Sequence, residues 1–274
     1  MLCRENCIDK GSPGDRGIRR IMGSFSLKWD KFVSVLIDSG GYKKVLEGLG
    51  NTLLIAVAGL VIGIIIGTLI AAVRVLPVPI KWKKGEFNKD RKRSVKYCLD
   101  KFFKGFCSFY VGLFRGTPVV VQLLVFYYVL LPLMGIKITG VGVSIMVFGL
   151  NSGAYISEIM RGGILSVDRG QMEAGRALGL SYGTTMIKVV IPQAVKNILP
   201  TLGNEFIALI KETSVVSFVG ASDLYVAFNY IGSNNYEFMV PYIVMAVIYI
   251  ILVIIISIGV KMLERRLRKS DRRN

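Results

Sequence analysis

The chain reads as an all-α integral membrane protein, a bundle of five helical spans. Three observations carry this. Of its 274 residues, 53% are hydrophobic, and the mean hydropathy is +0.54, too apolar for a soluble domain. Charge-free runs such as 51–73 (23 residues) and 240–260 (21 residues) are long enough to cross a hydrocarbon core of about 30 Å. The 35 lysines and arginines outnumber the 18 acids, and they gather between and after the apolar runs, which is how cytoplasmic segments are marked.

A net charge of +17 raises the question of nucleic acid, but no soluble module interleaves aromatic and basic residues here, so nucleic acid is not an expected partner. The chain has no histidine, which removes the commonest general base. It also lacks a G-x-x-x-x-G-K-[ST] loop and a G-x-S-x-G elbow. Cys3, Cys7, Cys98 and Cys107 form no C-x-x-C pair and read as free thiols, so neither metal nor cofactor is expected. Without a catalytic constellation, the energy for any work this protein does must come from elsewhere.

Taken in order, residues 1–21 are polar, mix both charges and lack the apolar core of a signal peptide, so they are expected to be disordered, with Met22 an alternative start. In 25–37, Phe25, Trp29, Phe32, Val33 and Leu36 fall at helical spacing with Lys28 and Asp30 opposite. That pattern fits an amphipathic helix at the membrane interface or a short cap packed on the bundle, and it completes a leader region over 1–50. The first span is 51–73. Its Gly59, Gly63 and Gly67 form a small stripe on which another helix can pack. From Arg74 to 107 a loop rich in lysine and arginine is expected in the cytoplasm, drawn to anionic lipid headgroups.

The second span, 108–131, contains Pro118, expected to kink it near its cytoplasmic end. Arg115 either snorkels to the interface or meets a neighbouring loop or partner, and Gln122, one turn past Pro118, is a candidate pore-facing group. After a short external turn comes the third span, 140–159. There Asn151, Ala154, Tyr155 and Glu158 share one face. A carboxylate in a span is costly unless it faces protein or water, so Glu158 is either a pathway residue or the partner of Arg161 at the boundary.

Residues 166–192 form a polar loop. Asp168 with Gln171 reads as an N-cap and capping-box partner for a helix over 169–178; Gly179 ends it, and Ser181 caps a second helix toward Ile191. The fourth span, 204–221, is interrupted by Lys211 and Glu212. It is expected to be bent or short, with Asn204, Glu205, Lys211, Glu212, Thr213 and Ser214 inside the bundle, where Glu205 either contacts substrate or pairs with Lys211 or Arg161. Segment 222–239 carries acids but no base and faces outward. The last span, 240–260, leads into a basic cytoplasmic tail, 261–274. Five spans place the N-terminus outside.

Glu173 to Pro192, EAGRALGLSYGTTMIKVVIP, resembles the signature of the permease subunits of bacterial ABC importers, and within them the polar amino acid uptake branch. That signature runs E-A-A, three residues, Gly, nine residues, I-x-L-P. Glu173, Ala174, Gly179 and Pro192 match it, while Gly175, Val189 and Ile191 stand in for Ala, Ile and Leu. Arg115-Gly-Thr-Pro118, the Asn151 to Arg161 pattern, and the N-E-F and K-E-T-S strings at 204–206 and 211–214 also resemble this family, and the likeness covers about 45–260.

The resemblance implies a bundle of the ABC importer permease type with a cytoplasmic EAA-type coupling loop. That loop would insert into a separate ATPase subunit, with Glu173 at the contact, Gly179 shaping the bend, and Ala174, Gly175 and Ala177 permitting close approach. It implies that Asn151, Tyr155 and Glu158 line the pathway. Arg115, Pro118, Arg161 and Lys211 are expected to be structural or gating residues. The partners it implies are two ATPases, a second permease that is a copy or a close relative, and an extracellular binding protein delivering polar amino acids. The alternative is an ion-gradient-driven secondary transporter or channel with Glu158 and Glu212 as proton or cation sites.

Overall fold

A computed structural model describes residues 13–75 and 91–271, with side chains described over 25–75 and 97–267. Cys3, Cys7, residues 76–90 of the basic stretch after Arg74 and the final tail residues lie outside the described residues. Those described are helical with short connections, and none forms a strand.

Helix α1 (Pro13–Ile37) starts inside the leader expected to be disordered, with proline in its first turn, where the missing N–H costs nothing. Phe32 and Val35 are buried against Leu224, Phe228, Ile231 and Val240, so 25–37 packs on the bundle. Phe25 and Trp29 remain exposed, stacked 6.4 Å apart. Lys28 pairs with Glu237 at 3.2 Å. Gly40, at φ 69°, turns the chain into α2 (Gly41–Val75), which starts ten residues before the charge-free run because a helix need not stop where hydrocarbon ends.

The glycine stripe of α2 packs on α6 (Gly140–Leu165), capped by Thr139, whose hydroxyl accepts from the Gly142 N–H at 3.2 Å. A Cβ on Gly59 would stand 3.2 Å from Phe148; on Gly63, 2.8 Å from Ser152; on Gly67, 2.7 Å from Ile156. Gly149 and Gly153 of α6 receive Ile62 and Ile66 in return. These numbers rise together, so α2 and α6 run parallel and interlock through absent side chains.

The second span is not a kinked rod. Helix α3 (Arg91–Gly116) begins within what the sequence marks as loop and stops before Pro118. A second piece then runs through α4 (Val119–Val125), a π turn (Phe126–Leu130) and α5 (Leu131–Leu133), at 107° to α3. Pro118 cannot continue the helix, so the direction changes there.

Helices α7 (Arg169–Ala177) and α8 (Tyr182–Thr185) lead through a π turn (Met186–Val190) into α9 (Ile191–Glu212). A 3-10 turn (Thr213–Val219) follows, then α10 (Leu224–Asn235), bent 57° from the preceding segment, and α11 (Met239–Asp271). Each π turn sits just before a proline, Pro132 or Pro192, with the N–H of Leu131 or Ile191 bonded five residues back to Phe126 or Met186. Widening the turn relieves the clash the proline ring would make with the preceding turn.

Segment 222–239, expected as a loop, is largely α10. Asp223 caps it, accepting from the Val226 N–H at 2.9 Å, and Leu224, Ala227, Phe228 and Ile231 are buried along one side. The main core joins Ile55, Leu123, Val147, Phe148, Leu209 and Val216 from α2, α4, α6, α9 and the 3-10 turn. Among the described residues three helices are long and apolar enough to cross a membrane, and up to five segments are if each bent pair counts as one.

Candidate functional site

The loop at one end of the bundle is a fixed elbow. The Asp168 carboxylate accepts from the Gly170 N–H at 2.6 Å and opens α7. Gln171 does not complete a capping box; its carbonyl accepts from Gln193 at 3.3 Å instead. At the other end Gly179 adopts φ 82°, its N–H donating to Arg176 O and that of Leu180 to Gly175 O, at 3.0 and 3.1 Å. This is a Schellman closure, and glycine takes its left-handed residue without strain. The Ser181 hydroxyl then accepts from the Thr184 N–H at 3.2 Å.

The small residues of α7 divide. Gly175 is buried, and a Cβ there would run into Thr185 of α8, so its smallness serves packing inside this chain. Glu173, Ala174 and Ala177 are exposed, as is Leu178 at 82%. Pro192 is exposed at the start of α9. Leu178 and the Glu173 carboxylate are thus both held outward at a turn closed by its own backbone.

Deeper in the bundle, the break at Pro118 frees carbonyls that need donors. Buried Gln122 supplies them, its amide donating to Phe114 O (2.9 Å), Thr117 O (3.0 Å) and Thr117 Oγ1 (2.9 Å). Asn151 of α6 donates to Gln122 Oε1 at 3.0 Å and to Phe114 O at 3.3 Å. These two candidate pathway residues are thus turned toward the break and each other. Gln122→Leu is expected to lower the melting temperature in detergent by about 5–10 °C, since unpartnered buried carbonyls cost about 1–3 kcal/mol each.

One turn from Asn151 along α6, Tyr155 is exposed, and the Arg115 guanidinium lies over its ring, 5.3 Å from the centroid. Arg115 therefore points along α6, resting on an aromatic face. Glu158 is held between Arg161, at 2.8 Å, and Arg74 at the end of α2. The sequence suggests Arg161 by its spacing but gives no sign of Arg74, 84 residues away. Buried Ser152 donates to Glu205 Oε1 at 3.0 Å, tying α6 to α9, where a pairing with Lys211 or Arg161 was expected.

Lys211 has no carboxylate partner within 4 Å among the described residues. Together with Asn204 and Glu212 it lies on an exposed side of α9, whereas Thr213 is fully buried. The expectation that all these groups sit inside the bundle is corrected accordingly. Asn197, Thr201, Asn204 and Lys211 recur at helical spacing and make a polar stripe that this chain alone does not cover. Beside it, Glu158, Gly162, Ser166, Asn197 and Thr201 line a cleft of about 420 Å³.

Comparison with known proteins decides what kind of chain carries this elbow. Residues 98–269 match the family described as binding-protein-dependent transport system inner membrane component. The chain belongs to that family. An arginine transport system permease protein of Bacillus subtilis is 36% identical over 228 residues, 83% of this chain and 94% of that one. A Rickettsia bellii permease named for glutamine transport is 37% identical over 223 residues, 81% of this chain and 92% of that one.

Among solved structures, a chain of an amino acid ABC transporter crystallised with histidines superposes with TM-score 0.72 at 35% identity, covering 86% of this chain and 98% of that one. An inward-facing methionine ABC transporter, at 20% identity and TM-score 0.62, covers 82% of this chain and 96% of that one and shares the fold. As an inner membrane component of this family, the chain is a multi-pass ABC transporter permease, a transport subunit and not itself an enzyme, and membership implies ATPase and permease partners.

Proposed function

We propose that this chain is the translocation subunit of an importer of polar amino acids, pairing with a copy of itself or a close relative and driven by ATPases docked on α7, Gly179 and α8. The relatives' names for arginine and glutamine, and the neighbour crystallised with histidines, support the cargo class. An extracellular binding protein hands over the cargo. In this reading the bundle has five spans, α7 and the basic tail lie in the cytoplasm, and the N-terminus lies outside. Glu173, Ala174, Gly179 and Pro192 belong to the docking elbow and Gly175 braces it. Asn151 and Gln122 hold the Pro118 break beside a pathway lined by Tyr155, Glu158 and the α9 stripe. Arg161 and Arg74 anchor Glu158, and Lys211 stands at the far end of the stripe.

The observation that carries the docking reading is the elbow itself, which projects Leu178 and Glu173 outward from a turn closed by its own backbone. Closure of the ATPases would push this lever and rock the spans between two states. The test is uptake by vesicles containing the permease, its ATPases and the binding protein. Leu178→Asp is expected to cut ATP-driven uptake at least about tenfold, as loss of an interface anchor does, with insertion unchanged. Uptake that survives both this change and ATP depletion would instead establish a gradient-driven carrier.

A further inference from the structure

We propose that Arg115, steadied by the Tyr155 ring, binds the α-carboxylate of the amino acid in transit; this rests on the importer reading above. The depth of Arg115 is fixed by contacts on either side of it. Tyr110 donates its hydroxyl to Leu150 O, and Phe114 O accepts from Asn151. Leu150 and Asn151 lie in the middle of α6 and Tyr155 one turn further on, so the Arg115 guanidinium lies alongside α6 between its middle and the Glu158 cluster.

Nothing in the described chain neutralises it. Glu158 is already shared by Arg74 and Arg161, Glu205 takes the Ser152 hydroxyl, and no carboxylate lies within 4 Å of Arg115. Arg115 is itself exposed on α3. A cation at this depth is costly unless water or an anion meets it. Lipid phosphates lie at headgroup level, about 15 Å from the midplane, half of a core about 30 Å thick.

The geometry also favours a carboxylate. A guanidinium over an aromatic face keeps N–H edges free, and such an edge grips a planar carboxylate with two parallel hydrogen bonds. Cargoes as different as arginine and glutamine share the α-carboxylate, so a group that holds it serves them all. Side-chain selection then falls to other residues.

The test uses the detergent-purified permease–ATPase assembly without binding protein. Binding of labelled arginine and glutamine is measured in competition with the free amino acids and with their α-carboxamides. The wild type is expected to favour acid over amide by about tenfold or more, as sites built around a polar partner do. Arg115→Gln should weaken acid binding and erase the discrimination, while Arg115→Lys should keep part of it.

Tyr155→Leu should weaken acid binding through loss of the platform. Equal competition by acid and amide in the wild type, discrimination that survives in Arg115→Gln, or no binding to the wild type overturns the proposal. ATP-independent uptake by wild-type vesicles is a separate result: it overturns the importer reading and leaves the acid-over-amide comparison standing.

Discussion

Gly67→Leu is expected to keep the protein from accumulating in the membrane. A Cβ at this position would stand 2.7 Å from Ile156 Cγ2 and 2.9 Å from the Ser157 amide nitrogen, and leucine adds three more carbons behind it. Ile156 and Ser157 are fully buried and cannot retreat. Overpacking of this kind costs about 1–3 kcal/mol or more even where the core can yield. Here it would separate α2 from α6, on which α3, α4 and α9 also pack. Quantitative immunoblotting of membranes should show at least about a fivefold loss, the abundance change that 1–2 kcal/mol brings. Gly112→Leu, where a Cβ meets nothing within 4 Å, should accumulate normally. Equal accumulation of both variants would mean that the α2–α6 contact is not the support it is taken to be.

If α7 docks on an ATPase as proposed, Gly175→Val is expected to leave the protein folded and inserted but to cut ATP-driven uptake at least about tenfold, because the elbow must then present α7 at one angle to its partner. The added methyls would collide with Thr185 and lift α7 off α8. Thr185→Ser removes the methyl that a Cβ at 175 would strike and should restore part of the uptake in the double variant. A double-mutant cycle measures that coupling, and strict additivity would show that Gly175 does not act through Thr185.

Much of the fold is legible in the sequence, because charge-free length and basic flanks report the cost of leaving water. The Asp168 cap, the Gly179 turn and the Gly59 to Gly67 stripe are local features, and the structure has all three. Helix ends are less legible. α2 and α11 run on beyond their apolar runs, and α3 starts in basic sequence, since hydropathy marks the hydrocarbon and not the helix.

The candidate site is legible in its residue types but less so in their partners. Arg74 with Glu158, Ser152 with Glu205, and Gln122 with the carbonyls at Pro118 join distant segments or depend on where a helix breaks. The exposed side of α9 is less legible still, because adjacent charges in an apolar stretch call for cover without saying whether this chain or a permease partner provides it.

The π turn at Met186–Val190 gives the elbow a property of its own. It holds one residue more than an α turn, so the side-chain pattern of α8 is rotated by about 100° relative to that of α9. In the importer reading, the face turned to the ATPase and the face turned to the pathway are thus offset within one continuous helix. A single-residue deletion within Met186–Val190 would remove that offset and leave the pattern along α9 itself unchanged.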